Sequence, residues 1–229
     1  MFLKKELYLA FKVSIPVLMG YMVLGFAFGL LLTSMNYEWY IAVLMSVFIY
    51  AGALQFLAVG FFTSKLGLFD IFISSIFVNI RQSFYGLSVL KKFKNSKKLK
   101  PYLIFALTDE TYALLTTIKA KEDINKKYYY FYLSLLNQIY WVSGTTLGAL
   151  LASQISFNTK GLEFSLTALF VVLAIEQYKS NKNYIPFIIG AIASILAYIF
   201  VSIDSMLIIA IAISLILMFM FKKSLQNVK

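Results

Sequence analysis

Apolar residues in this chain gather into eight stretches, at residues 11–33, 40–62, 68–90, 101–118, 128–153, about 163–178, 184–201 and 205–221. Short loops rich in lysine separate them. Most stretches are near ~20 residues, which at ~1.5 Å per residue matches the ~30 Å hydrocarbon layer of a bilayer. The pattern predicts an all-α, polytopic membrane helical bundle, with residues 1–229 forming a single transmembrane domain. A basic amphipathic start carries Lys4, Lys5 and Lys12. The first apolar run is too long for a signal peptide and lacks a small-residue cleavage site.

Three stretches carry polar groups that lipid would not tolerate. In segment 40–62 the run Tyr50-Ala51-Gly52-Ala53-Leu54-Gln55-Phe56 is a weak helix with an amide beside three small residues. Unwound backbone at membrane depth survives only against protein or a cavity, and transporters use such breaks to hold substrate. Plain close packing is the competing reading. In segment 101–118, Asp109 and Glu110 stand side by side in apolar sequence, and a carboxylate there costs at least ~2.5–3.5 kcal/mol on insertion scales. The alternative is a surface amphipathic helix with solvated acids. In segment 68–90, Asn79, Arg81, Gln82, Ser83 and Tyr85 form a polar cluster, with Arg81 and Tyr85 four apart on one helix face. Arg81 either lines a cavity or snorkels toward the basic loop at 91–100.

The remaining stretches say less. Gly25 and Gly29, like Gly144 and Gly148, read as packing glycines that let helices approach closely. Pro16 removes a backbone donor within the first stretch. Glu176 reads as an interfacial charge, and Asp204 as a residue of the turn between the last two stretches. Short matches spaced roughly 120 residues apart suggest an internal repeat, Gly25-xxx-Gly29 with Gly144-xxx-Gly148 and Phe48–Gln55 with Phe170–Gln177.

Composition narrows the chemistry. At 61% hydrophobic and 14% charged residues, the chain is no soluble globule. Its net charge of +11 sits on loop lysines, a topology signal and not a nucleic-acid face. Without Cys or His there is no disulfide, thiolate, imidazole relay or Cys-based metal site, and no cofactor is expected. Eight plain crossings would export one of the lysine-rich loops, 91–100 or 119–127. If segment 40–62 enters and leaves on the outer side and segment 101–118 on the inner side, the conflict disappears. All but three of the 21 basic residues then lie inside, with Lys65 and Lys160 outside and Arg81 in the membrane. About six spanning helices and two broken or re-entrant segments result, with both termini cytoplasmic. The two segments so singled out are those carrying Gly52–Gln55 and Asp109–Glu110.

Five motifs in order carry a resemblance. They are Gly-Tyr-x-x-x-Gly-Phe-Ala-Phe-Gly at 20–29, Tyr-Ala-Gly-Ala-x-Gln-Phe at 50–56, Asn-x-Arg-x-x-x-Tyr-Gly at 79–86, Thr-Asp-Glu-Thr-Tyr-Ala at 108–113 and Trp-x-x-Gly-Thr-x-x-Gly at 141–148. Over about residues 8–150 the chain resembles the AzlC-type large subunit of branched-chain amino acid exporters. The resemblance implies export of leucine, isoleucine, valine and methionine across the cytoplasmic (inner) membrane, with a small hydrophobic AzlD-type subunit as partner. Two departures stand out: Gln82 where the family commonly has His, and Leu54 where it commonly has Ser. The first removes any histidine-based proton coupling, and the second bears on how the substrate is held.

An amino acid presents a carboxylate and an ammonium, so its site needs opposite charges or helix ends to replace water. Arg81 faces the carboxylate in this reading, directly or through backbone near Gly52. Asp109 or Glu110 faces the ammonium or carries a coupling proton. Tyr50, Gln55, Asn79, Tyr85, Thr108, Tyr112 and Trp141 complete the expected substrate site, with the hydroxyls of Thr108 and Tyr112 holding Asp109. An enzyme is not expected: only an aspartyl dyad is conceivable, and Asp109 and Glu110 point about 100° apart on a helix. A passive channel, or a membrane subunit of a larger importer, is the remaining rival.

Overall fold

The computed structural model describes residues 2–63, 66–96, 98–117, 124–154, 184–200 and 203–220, with residues 171, 174–175 and 178–179. Every regular element among them is a helix. The order is α1 (Phe2–Ser34), α2 (Trp39–Phe48), α3 (Gly52–Thr63), α4 (Leu68–Val89), α5 (Lys100–Phe105), α6 (Asp109–Thr117), α7 (Lys126–Gln154), α8 (Ile185–Phe200) and α9 (Ile203–Met220). The basic start is continuous with α1, and Asp204 lies in the first turn of α9. Glu176, Gln177 and the second half of the Phe-to-Gln comparison lie outside the described residues.

The chain forms two compact units, residues 1–56 with 79–163, and residues 57–78 with 164–229. The second contains α8 and α9, which pack together. The first is built around α1 and α7, its most extensive helix pair. Gly25 and Gly29 meet Thr145 and Ala149, while Gly144 and Gly148 meet Tyr21, Met22 and Phe26. A Cβ at Gly25 would lie 2.8 Å from the Trp141 carbonyl oxygen, and one at Gly144 would lie 2.8 Å from that of Met22. Backbones this close have no room for side chains, so all four positions need glycine. An apolar cluster lies within the unit, with Ala10, Phe93, Leu103, Leu115, Tyr129 and Leu133 among its members.

Two helices are interrupted where the sequence predicts. The first break separates α2 from α3. Ile49 and Tyr50 both donate their N–H to the Met45 carbonyl, and Tyr50 adopts φ 45°, a left-handed conformation that ends a helix. Tyrosine pays more there than glycine would, a strain of order 1 kcal/mol. The second break separates α5, which opens with Pro101 in its first turn, from α6. Thr108 starts α6 as its N-cap, its hydroxyl accepting the Thr111 N–H at 3.3 Å. Asp109 and Glu110 therefore occupy the first turn of α6, where the helix dipole favours negative charge.

The unit buries polar side chains among its apolar core and exposes many large apolar ones. Ser14, Ser46, Gln55, Thr108, Thr111, Ser134, Asn137 and Thr145 are buried, while Tyr8, Phe11, Ile15, Met19 and Val23 line an exposed stripe of α1. Phe84 and Leu87 do the same on α4. Lys5–Ser34 is long and apolar enough to cross a membrane, whereas the breaks leave Trp39–Phe48 and Gly52–Phe62 as shorter apolar helices.

Candidate functional site

The two breaks meet. The Tyr50 ring, at the first, lies 6.3 Å from that of Phe105, at the second. Gln138 of α7 ties them further, donating to the Val47 carbonyl at 3.1 Å and accepting from the Tyr102 hydroxyl at 2.7 Å. Three groups of side chains surround this junction.

The first group lies between α4 and α6. Arg81 Nη2 is 2.9 Å from Asp109 Oδ2, and the two side chains are 37% and 28% exposed. One turn on, Tyr85 stacks on Tyr112 with ring centroids 4.3 Å apart. Ser88 then donates to the Tyr112 hydroxyl at 3.1 Å, and Lys92 Nζ to the Leu115 carbonyl at 2.6 Å. These four contacts advance along α6 as they advance along α4 and the turn after it, so the two segments run in the same direction. Arg81 Nε and Asp109 Oδ1 are buried without a hydrogen-bond partner among the described residues.

The second group lies on the other side of α6. Tyr21 of α1 is hydrogen-bonded to Glu110 Oε2 at 2.5 Å and to Thr108 Oγ1 at 2.7 Å. Thr108 Oγ1 is 3.0 Å from Thr111 Oγ1, which accepts from Asn137 Nδ2 at 2.9 Å. Asp109 and Glu110, adjacent in sequence, thus face different helices. The expectation that Thr108 and Tyr112 hydroxyls hold Asp109 fails: Thr108 caps α6 and bonds Tyr21 and Thr111, while Tyr112 bonds Ser88.

The third group braces the first break. Gln55, fully buried, accepts from Trp141 Nε1 at 2.9 Å and donates to Ser46 Oγ at 3.0 Å. Ser46 donates to Thr145 at 2.9 Å. A Cβ on Gly52 would lie 3.0 Å from the Trp141 indole. Both ends of the Gln55 amide are therefore engaged within the fold, and Gly52 accommodates an aromatic ring. The Trp141 ring meets Tyr21 edge-on at 5.4 Å, joining the second and third groups.

Of the expected residues, the structure brings Arg81, Tyr85, Asp109 and Tyr112 into one group and Thr108 and Glu110 into its neighbour. Gln55, Gly52 and Trp141 form the brace, and the buried Tyr50 hydroxyl has no partner among the described residues. Asn79 is half-buried on α4 and joins none of these groups, while Ser83 is exposed, outside the polar cluster expected around Arg81. Tyr21, Thr111 and Asn137 were not expected. Tyr21 was visible within the 20–29 motif, and Asn137 as an amide inside an apolar helix; Thr111 gave no signal beyond its place in the 108–113 motif.

Broken helices that present opposite charges at their interrupted ends are a device of membrane transport proteins. Comparison with known proteins narrows that class. The chain belongs to the AzlC protein family, whose pattern matches residues 16–155. It is 41% identical over 217 residues to an uncharacterized membrane protein of Helicobacter pylori (strain ATCC 700392 / 26695), covering 95% of each chain. It is 34% identical over 192 residues to the branched-chain amino acid transport protein AzlC of Bacillus subtilis (strain 168), covering 82% of this chain and 76% of the relative. The inner membrane protein YgaZ of Escherichia coli (strain K12) is 28% identical over 193 residues, 80% of this chain and 79% of its own. No solved structure matches the chain.

Proposed function

We propose that this chain is the large subunit of a secondary exporter of branched-chain amino acids, leucine, isoleucine, valine and methionine, across the cytoplasmic membrane. The observation that carries the reading is the Arg81–Asp109 pair with its two spare arms. Each partner satisfies the other through one atom and leaves a buried atom, Arg81 Nε and Asp109 Oδ1, without a hydrogen-bond partner among the described residues. A zwitterion supplies what both lack: its carboxylate goes to the guanidinium and its ammonium to Asp109. Tyr85 and Tyr112 offer an aromatic wall beside the pair for a branched side chain. Glu110, about 100° around α6 from Asp109, carries the coupling proton.

The outward apolar stripes and buried polar groups support a bilayer as the solvent. So do the names of the relatives, and that of the Bacillus relative supports transport and the substrate class. In this reading residues 1–229 act as one transmembrane domain of about six spanning helices and two broken segments, α2–α3 and α5–α6, arranged as an internal repeat. Both termini lie in the cytoplasm, and a small hydrophobic subunit completes the exporter. Single cysteines at Lys94 and Lys126 should resist an impermeant thiol reagent added outside intact cells, since the loops at 91–100 and 119–127 face inward. Labelling of either from outside defeats this topology.

Counterflow of labelled leucine in proteoliposomes, with and without the small subunit, tests the function. Transient uphill accumulation is expected with internal unlabelled leucine and not with glutamate. A channel would give equilibration alone.

A further inference from the structure

Helix α6 is held in two different ways. Toward α1 and α7 its contacts are buried, with Tyr21 reaching Glu110 and Thr108, and Asn137 reaching Thr111. Toward α4 they are made by residues that are exposed or half-buried. Arg81 pairs with Asp109, Tyr85 stacks on Tyr112, and Ser88 bonds the Tyr112 hydroxyl.

Helix α4 is itself divided. From residue 79 to residue 85 none of its residues is buried. Past Gly86 the chain is anchored, because Val89 and, in the turn beyond, Phe93 are fully buried in the apolar cluster. Lys92 adds its bond to the Leu115 carbonyl, in the last turn of α6. The division falls at a glycine that packing does not require. A Cβ on Gly86 would meet no described atom within 4 Å, whereas one on Gly25, Gly29, Gly144 or Gly148 would lie 2.8 Å or less from backbone. Gly20, Gly60 and Gly190 are equally open, and lie on other helices. A glycine inside a helix weakens it, since glycine gives up the most backbone freedom on becoming helical. Sharp helix bends arise at proline or where glycine and serine occur together. Ser83 and Ser88 flank Gly86, and their hydroxyls can take up backbone groups that a bend frees.

We propose that Gly86 is a hinge, and that residues 79–85 of α4 form an arm that closes on the amino acid. Arg81 rides on the arm, while Asp109 stays on the fixed α6. A zwitterion held by both spans the gap, its carboxylate drawing the guanidinium in and its ammonium resting on Asp109. The direct Arg81–Asp109 contact and the stacked tyrosines hold the same arm shut in the structure. Opening breaks that ion pair and that ring stack, and pulls no buried residue of 79–85 out of the core. Gly86 touches no substrate in this scheme; it is a positioning residue that acts through Arg81. The inference rests on the reading of Arg81 and Asp109 as the amino acid site, so its test includes a distance that needs no transport.

The chain has no cysteine, so spin labels on cysteines placed at the exposed Ser83 and Ala113 report the gap between arm and α6 in the purified full-length protein. Two separations are expected. Leucine should raise the share of the shorter, and Asp109→Asn, which breaks the pair, the share of the longer. Gly86→Ala should lower the longer share about two- to fivefold, the population factor set by the difference in helix propensity between the two residues. Labels beyond the hinge, at Lys94 and Thr116, should keep one separation throughout. In proteoliposomes Gly86→Ala should slow leucine turnover by the same factor, with leucine affinity unchanged and a thermal midpoint no lower than wild type. Gly190→Ala should leave turnover as it is. A single separation that neither leucine nor Asp109→Asn alters overturns the hinge. So does a Gly86→Ala protein that keeps wild-type turnover, or one whose midpoint falls. If Asp109→Asn and Gly86→Ala shift the separations as stated but leucine neither shifts them nor is moved, the hinge stands and the transport reading falls.

Discussion

Arg81→Gln and Asp109→Asn should each weaken leucine binding by about 10–100-fold, the loss of a charge-assisted hydrogen bond of about 1.5–3 kcal/mol. Folding should hardly change. The pair is about a third exposed, and exposed ion pairs contribute ~0.2–1 kcal/mol. Only in a fully buried pair would removing one partner cost about 3–5 kcal/mol. The double variant should bind leucine no worse than the weaker single one, because both residues act on one zwitterion. Titration of the four proteins forms a double-mutant cycle, and additive losses would assign the two charges to separate tasks.

Gln55→Leu should behave in the opposite way. The substitution keeps the volume but strands the buried Trp141 N–H and removes the donor to Ser46. Each buried group left without a partner costs about 1–3 kcal/mol, so a loss of some 2–4 kcal/mol is expected. Thermal unfolding in detergent should show it as a clearly lowered midpoint. Transport should fall in proportion to folded protein, with little change in the leucine affinity of what remains. A Gln55→Leu protein of normal stability that no longer binds leucine would return Gln55 to the substrate site.

The contrast between these two predictions marks where sequence was readable. A small-residue run and a carboxylate pair in apolar sequence both announce a local failure of the helix, and both breaks appear where they should, at Ile49–Ala51 and Ala106–Thr108. The glycine pairs announced the α1–α7 contact. Which side chains meet across helices was another matter. Spacing along one helix says that Arg81 and Tyr85 share a face, but Tyr21 reaching Glu110 joins positions 89 residues apart. Thr108 was misjudged for a local reason. Thr-Asp-Glu-Thr is a helix-start signature, with a capping hydroxyl followed by acids, and that chemistry already occupies the hydroxyl. Gln55, expected in the substrate site, bonds Trp141 and Ser46, and a buried amide reads alike whether its partner is substrate or Trp141.

The proposed exporter has one site that recognises an apolar amino acid by its charged ends and its branched side chain. Equilibrium binding of labelled leucine to the purified protein, with Arg81→Gln as control, tests it most directly. Saturable binding is predicted, displaced by isoleucine, valine and methionine, indifferent to glutamate and lysine, and reduced about 10–100-fold by the substitution. Binding that glutamate or lysine displaces as well as isoleucine does, or that Arg81→Gln leaves intact, would contradict it.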